Sequence, residues 1–365
     1  MGSYIIRRLL LIIPTLFAIM VVNFAVIQIA PGGPVEQVIA QLTGTGADIT
    51  ERVTRSGTSE TLDTGQGNNT NPTYRGAQGL DPEFIKELEQ QFGFYKPLPV
   101  RFFDMMKRYL VFDFGDSFFR DRKVTELVLD KMPVSISLGL WTTLLVYLIS
   151  IPLGIRKAIR DGSRFDIWTS SIIILGTAIP SFLFAVFLLV IFAGGSYLDW
   201  FPLARLTGEN WDSLSWPARI VDYFWHLALP VLAMTIGGFA TLTMLTKNSF
   251  MDQINQQYVL TARAKGLTEH RVLYGHVFRN AMLIVIAGFP SAFVGILFTG
   301  SLLIEIIFSL DGLGLLGFEA AFARDYPVMF GTLFFFSLLG LGLNLVGDLM
   351  YMVIDPRIDF ESREV

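Results

Sequence analysis

Apolar residues in this chain are gathered in six segments that are each long enough to cross a membrane. A spanning helix needs about 20 apolar residues for a hydrocarbon core roughly 30 Å thick. The pattern therefore predicts an all-α integral membrane protein with six transmembrane helices, at residues 9–30, 134–155, 167–193, 223–246, 281–303 and 328–354. Prolines lie inside or at the ends of these segments and are expected to kink them, at Pro152, Pro180, Pro230 and Pro290.

Basic residues are distributed unequally among the connections between these segments. Arg7 and Arg8 precede the first segment, and the second and fourth connections are rich in Lys and Arg. The third has only Arg205 and Arg219, and the fifth only Arg324. Short loops rich in Lys and Arg stay in the cytoplasm. Both termini and the even-numbered connections are therefore expected on the cytoplasmic side. The first segment is too long for a signal-peptide core and is expected to remain as a span.

The first connection, about 100 residues long, is external by parity. Residues 43–79 are rich in Gly, Thr, Ser and Asn, which predicts a weakly ordered insertion. A helix is expected to begin after it, with Asp81 as the N-cap and Pro82 in the first helical position. Asp113 and Asp116 suggest either a pair of turn residues or a catalytic or metal pair, and the turn explains Asp and Gly equally well.

Composition supports the membrane class and excludes several chemistries. The chain is 52% hydrophobic and 16% charged, with a net charge of −4 and a mean hydropathy of +0.52. It has no Cys, and its three His form no metal-like pair. No nucleic-acid surface and no metal site are therefore expected. The chain contains no Gly-Lys dipeptide and thus no phosphate-binding P-loop, so it is not expected to be an enzyme.

Residues 258–281, called the basic loop below, separate the fourth and fifth segments. They carry four basic residues and one acid, Glu269. The pattern predicts two short helices, the first ended by Gly266 and the second N-capped by Thr268. Ala262 and Gly266 are four residues apart, which predicts one small face for close approach by another protein. The alternative is that the loop is basic only because multi-spanning proteins need basic cytoplasmic loops.

The basic loop resembles the "EAA" loop of ABC importer permeases, in its peptide-transporter version. In that family the loop is a coupling helix that fits a groove on the ATPase subunit. The resemblance implies ATPase-coupling residues at Tyr258, Thr261, Ala262, Arg263, Ala264, Lys265, Gly266 and Leu267. The family pattern begins with Glu-Ala-Ala, whereas the triplet here is Leu260, Thr261 and Ala262, so the acidic residue is absent.

Further blocks extend the resemblance over nearly the whole chain apart from 43–79. They are residues 92–99, 113–118, 308–317, 324–327 and 355–357. The chain is similar to the peptide (Opp/Dpp) family of type I ABC importer permeases, and within it to the YejB branch, which is linked to uptake of peptides and of the peptide-like antibiotic microcin C. The resemblance implies a bacterial inner-membrane pore subunit. Its partners would be a second, homologous permease, a periplasmic solute-binding protein, a peptide substrate and an ATPase that binds ATP and Mg²⁺.

The predicted spans, the charges of the loops and the resemblance together divide the chain: residues 1–30 for the cytoplasmic N-terminus and first span, 31–133 for the periplasmic region, 134–355 for the permease core with a coupling loop at 247–280, and 356–365 for the cytoplasmic tail. Polar groups in spans are costly unless they are paired or line a cavity. Glu305 and Asn344 are therefore candidate translocation-path residues, although a cap from the loop or a pair with Arg324 explains Glu305 as well. A secondary transporter and a membrane scaffold are the alternative functions.

Overall fold

The computed structural model describes residues 2–29, 33–35, 38, 39, 83, 86, 90, 94–195, 197–289, 292, 295 and 302–354. In this part the chain is helical, apart from turns and one isolated bridge between Asp116 and Lys123. The helices are α1 (Gly2–Ile29), α2 (Leu98–Tyr109), α3 (Val124–Ile159), α4 (Arg164–Ala178), α5 (Ser181–Phe192), α6 (Trp216–Ile254), α7 (Gln257–Ala264), α8 (Glu269–Arg271), α9 (Phe278–Ala287), α10 (Leu302–Ile307), α11 (Leu313–Ala323) and α12 (Tyr326–Ile354), with a 3₁₀ turn at Trp211–Ser213 and a π-helix at Val272–Val277.

Four of the described helices are long and apolar enough to cross a membrane, namely α1, α3, α6 and α12. They coincide with the first, second, fourth and sixth predicted segments, so the all-helical membrane architecture is confirmed. Helices α3 and α6 contain 36 and 39 residues and extend beyond the predicted segments at both ends. Their apolar stretches continue into polar turns that keep helical hydrogen bonding, which hydropathy does not detect.

The third predicted segment is two helices rather than one continuous span. Helices α4 and α5 meet at an angle of 91°. Pro180 precedes α5, and Ile179 before it has extended backbone angles, φ −91° and ψ 117°, as expected for a residue that precedes proline. The kink expected at Pro180 is therefore confirmed. Pro152 and Pro230 lie inside continuous helices, so neither breaks its span, and kinks at these two positions stay predictions.

Several predictions fall wholly or largely outside the described residues. The fifth predicted span is covered only by α9, residues 288, 289, 292 and 295, and the start of α10. The insertion at 43–79, the helix start at Asp81 and Pro290 also lie outside. The described residues thus hold four spanning helices, or five if α4 and α5 form one span.

The chain divides into two compact units, and each has a core of its own. The first comprises Met1–Leu9, Lys131–Leu315 and Leu339–Val365. One of its cores is formed by α3, α6, α7, the π-helix and α9, and is called the loop core below. Its buried members are Val146, Ile155, Ala158, Leu242, Phe250, Val259, Ala262, Val272, Val277, Ala281, Met282 and Val285.

The second unit comprises Leu10–Asp130 and Leu316–Leu338. Aromatic rings fill its interior. Tyr109, Phe114 and Phe334 pack with ring centroids 4.9 to 5.7 Å apart. The two pairs that involve Tyr109 are edge-to-face, and such pairs add about 0.5–1.5 kcal/mol each beyond the area that they bury.

Candidate functional site

The first helix of the basic loop ends in a Schellman motif centred on Gly266. Helix α7 has Lys265 as its C-cap. The N–H of Gly266 donates to the carbonyl of Arg263 at 2.9 Å, and the N–H of Leu267 donates to that of Ala262 at 3.3 Å. Gly266 has φ +79°, a left-handed conformation that glycine adopts without a Cβ penalty. The predicted helix end at Gly266 is therefore confirmed.

The second half of the loop is a short helix followed by a π-helix. Thr268 occupies the N-cap position of α8 as predicted, but its side chain makes no capping hydrogen bond. Glu269 instead accepts two hydrogen bonds from the Arg263 guanidinium, at 2.9 and 3.2 Å. This bidentate pair connects α7 to α8 across the turn. The π-helix that follows was not expected from the sequence; such segments are rare and often found at functional sites.

The small face predicted for Ala262 and Gly266 is not a free surface. Ala262 is 7% exposed and belongs to the loop core beside Val259 and Val272, whereas Gly266 is exposed. The π-helix packs against that side of α7, so the two residues do not present one face outward. That prediction is wrong, because the helical period was applied to α7 without its tertiary neighbours.

The outward side of the loop carries polar residues and two large apolar side chains. Of the predicted coupling residues, Thr261, Arg263, Ala264, Lys265 and Gly266 are exposed, and Tyr258 and Leu267 are half-buried. Leu260 and Tyr274 are 58% and 50% exposed. Neither residue is among the predicted coupling residues. Leu260 stands where the family motif has its Glu, so the departure from the motif was the available signal.

Glu305 is completely buried within this chain. Its Oε2 accepts the N–H of Leu315 at 2.7 Å, and Ser135 lies beside it, 3.4 Å from Oε1. Ser135 Oγ in turn accepts the N–H of Leu313 at 2.9 Å. The two side chains satisfy free N–H groups in the first turn of α11, where a negative charge is also favoured by the helix dipole. The structure thus gives Glu305 a loop-capping contact, while its part in a translocation path stays a prediction.

The polar residues of the last span differ in surroundings. Asp348 Oδ2 accepts a hydrogen bond from the Tyr4 hydroxyl at 3.0 Å and pairs with Arg8 at 3.0 Å. This triad connects the start of α1 to α12 within the first unit. Asn344, one turn earlier on α12, is exposed. Its role in the path stays a prediction.

Asp113 lies in a turn of the second unit rather than in a catalytic cluster. It pairs with Arg108 at 2.8 Å and accepts the N–H of Gly115 at 3.1 Å. The hydrogen bond from Arg108 lowers the pKa of Asp113. Among the described residues, no group of three or more His, Asp or Glu is placed to hold a metal ion. The turn interpretation of Asp113 therefore has direct structural support.

Ser117 and Asp325 join two of the family-like blocks inside the second unit. The Ser117 hydroxyl donates to Asp325 Oδ2, and the N–H of Phe118 donates to Oδ1 at 3.2 Å. Ser117 Oγ also accepts the N–H groups of Phe119 and Arg120, at 3.3 and 3.1 Å. Burial raises the pKa of Asp325, although the bonds from Ser117 and Phe118 oppose the shift. Ser117 and Asp325 are 208 positions apart, and a single sequence does not show that they are in contact.

The chain is similar to known membrane transport proteins. Residues 150–360 match the family described as binding-protein-dependent transport system inner membrane component. The chain belongs to this family. The chain is also 62% identical to the peptidoglycan transport system permease protein YejB of Agrobacterium fabrum and 59% identical to the inner membrane ABC transporter permease protein YejB of Escherichia coli O157:H7, each over 100% of both chains. It is 32% identical to the oligopeptide transport system permease protein AppB of Bacillus subtilis, over 99% of this chain and 100% of that protein.

These matches confirm the resemblance to peptide ABC permeases of the YejB branch. The protein is a non-catalytic, multi-pass permease component of the inner membrane. Membership in a binding-protein-dependent family implies that it works with a solute-binding protein and an ATPase. A membrane scaffold and an ion-driven secondary transporter, the two alternative functions, are therefore not supported.

Proposed function

We propose that this permease imports short peptides and peptide-like compounds, with energy from a separate ATPase. The proposal is carried by the full-length similarity to relatives named as peptidoglycan, oligopeptide and ABC transporter permeases. Peptides released from peptidoglycan and peptide-like antibiotics such as microcin C are the substrates that these names and the branch resemblance favour. ATP and Mg²⁺ would be bound by the ATPase, not by this chain.

The proposed topology has six spans, cytoplasmic termini and a large periplasmic region at 31–133. Two permeases, this chain and a second homologous one, would enclose the path. The distribution of exposed basic residues supports this orientation. Arg156 in the last turn of α3, Arg160 after it and Arg164 at the start of α4 are exposed. Arg263, Lys265, Arg271 and Arg279 are exposed in the basic loop. Both groups would face the same, cytoplasmic, side.

Helix α7 is the proposed coupling helix. Its outer side presents Leu260 together with exposed polar residues, while its inner side buries Val259 and Ala262 in the loop core. Since packed cores resist deformation, a displacement of α7 would be passed to α3, α6 and α9 as a rigid movement. With Leu260 in place of the motif's acid, the contact with the ATPase would be apolar at that position rather than a salt bridge.

Asn344 and Glu305 remain the proposed residues of the path, on different grounds. Asn344 is exposed on α12 in the isolated chain and is free to contact substrate or the second permease. Glu305 is buried next to the N–H groups of Leu313 and Leu315, so it would influence the path only from that buried position. A substitution at Asn344 should therefore change uptake kinetics, whereas one at Glu305 should first lower stability.

Copurification of the ATPase from detergent tests the coupling proposal. We expect Leu260→Glu to lose the ATPase, because a charge would be buried at an apolar contact. Leu110→Glu is the matched control, since Leu110 is also a highly exposed leucine, at 73%, but lies outside the basic loop. Equal ATPase recovery with both variants would contradict docking through α7.

A further inference from the structure

Two lysines and two aspartates form a neutral cluster that joins three helices of the first unit. Its members are Lys157 on α3, Asp161 and Asp166 around the start of α4, and Lys247 on α6, and it is called the lysine–aspartate cluster below. The Lys157 side chain is completely buried, those of Asp166 and Lys247 are 8% and 11% exposed, and Asp161 lies at the rim. Because basic residues mark cytoplasmic loops, both lysines were interpreted as surface charges in the sequence.

Asp166 is the centre of the cluster. Its Oδ1 lies 2.9 Å from Lys157 Nζ, and its Oδ2 lies 2.7 Å from Lys247 Nζ. Lys157 also donates to the Asp166 carbonyl at 3.0 Å and to Ser170 Oγ at 2.6 Å, and Lys247 pairs with Asp161 at 2.8 Å. Asp166 thus connects the first turn of α4 to both α3 and α6. Its Oδ2 accepts a hydrogen bond from Lys247, its Oδ1 forms an ion pair rather than a hydrogen bond with Lys157, and the directional bonds of Lys157 go to the Asp166 carbonyl and to the Thr169 and Ser170 hydroxyls.

Helices α3 and α6 are also in close contact beside the cluster. A Cβ at Gly154 would lie 2.6 Å from Thr246 Cβ and 2.8 Å from the carbonyl of Thr243. Gly154 is one turn before Lys157, and Thr246 is next to Lys247. At the level of the cluster, the backbone of α3 at Gly154 therefore packs directly against the Thr246 side chain of α6.

The cluster adjoins the loop core directly. Ile155 and Ala158, on either side of Lys157, belong to that core, and so does Phe250, one turn after Lys247. The same core buries Val259 and Ala262 of α7. The proposed coupling helix therefore shares one packed core with the two helices that carry Lys157 and Lys247.

We propose that the lysine–aspartate cluster is a positioning joint for transport, which makes the start of α4 move together with α3, α6 and the basic loop. Displacement at the loop would then reach the bent pair α4–α5. Buried ion pairs contribute little to stability compared with apolar packing, so the proposed value of this one is its fixed geometry. The inference rests on the proposed coupling role of the loop.

A paired substitution tests the joint in the complete transporter. Lys157→Met with Asp166→Leu keeps the net charge and leaves Lys247 paired with Asp161. In proteoliposomes we expect the ATPase to remain bound and active while substrate uptake per ATP hydrolysed falls about fivefold or more, the range of a typical allosteric coupling. Lys96→Met with Asp104→Leu removes an exposed ion pair of the second unit and should leave the ratio unchanged. An unchanged ratio in the cluster variant would overturn the proposal.

A second measurement leaves the cluster intact and so does not depend on the folding of that variant. The chain has no native Cys, so spin labels can be placed at Arg164→Cys, at the exposed start of α4, and at Thr268→Cys, whose side chain makes no capping bond. We expect one distance that stays the same in the resting and ATP-bound transporter. A shifted distance with the ATPase still bound would overturn the joint alone, whereas failure of the unchanged chain to copurify with the ATPase would overturn the coupling role itself.

Discussion

Replacing Gly266 with valine should impair coupling to the ATPase, because valine disfavours the backbone conformation that this residue adopts. Gly266 has φ +79°, and no atom lies within 4 Å of a Cβ built there, so the cost within this chain is conformational rather than steric. A left-handed conformation costs a non-glycine residue about 1–3 kcal/mol, with β-branched residues at the upper end. Relaxing to negative φ would instead break the bonds from Gly266 and Leu267 to the end of α7, worth about 1 kcal/mol each. Either route costs roughly 2 kcal/mol or more, so the docking-competent loop should become at least about 30-fold rarer relative to its alternatives.

The assay is ATPase copurification together with uptake in proteoliposomes, with two matched controls. Gly275→Val places the same side chain in the same loop, in open space and without a left-handed backbone, so it should behave as wild type. Gly266→Asn adds a side chain that tolerates the left-handed conformation and should retain most activity. Wild-type uptake by Gly266→Val would refute the reasoning. Equal loss in Gly266→Val and Gly266→Asn would show that close approach of the ATPase, rather than backbone conformation, limits this position.

Three further changes have defined expectations. Gly154→Ala should lower the free energy of unfolding by about 1–3 kcal/mol, because its Cβ would lie 2.6 Å from Thr246 Cβ; thermal melting of the purified protein measures this, and a wild-type melting temperature would contradict the close contact. Ser117→Ala should cost about 1–3 kcal/mol, since the Asp325 carboxylate and two backbone N–H groups lose their partner; a smaller loss of melting temperature than in Ser171→Ala, at an exposed hydroxyl, would contradict it. Because burial raises the pKa of Asp325, its folded carboxyl holds a proton that the unfolded one loses. The Asp325 carboxyl therefore contributes fully to the free energy of unfolding at pH values below the ordinary Asp pKa of about 3.9, and this contribution is lost as the pH rises through the raised pKa. Asp325→Asn should flatten the decrease in the free energy of unfolding between these two pKa values. An unchanged pH profile of stability would contradict this.

The parts of the fold that could be predicted are those governed by local sequence. Hydropathy located α1, α3, α6 and α12 because each is a continuous apolar helix. Gly266 predicted the end of α7 because a left-handed cap selects glycine. Pro180 predicted a kink, although nothing in the sequence specified an angle of 91°.

The parts that could not be predicted depend on contacts between distant residues. Lys247 and Asp166 are 81 positions apart, and a single sequence does not show that a lysine is buried against an aspartate. Ala262 was assigned to the wrong side of α7, because its environment is set by the π-helix that folds over it. Leu260 was interpreted only as the absence of the motif's acidic residue. Its exposure makes it the best-placed apolar contact on that helix.

Cross-linking from a single introduced cysteine tests the central claim most directly. With Leu260→Cys in a chain that has no other cysteine, a short thiol-directed photo-cross-linker in native membranes should form an adduct with the ATPase subunit. Leu110→Cys, labelled equally, should form none. An ATPase adduct at Leu260 alone is the result that a coupling role for α7 predicts; absence of an adduct there, or equal adducts at both positions, would contradict it.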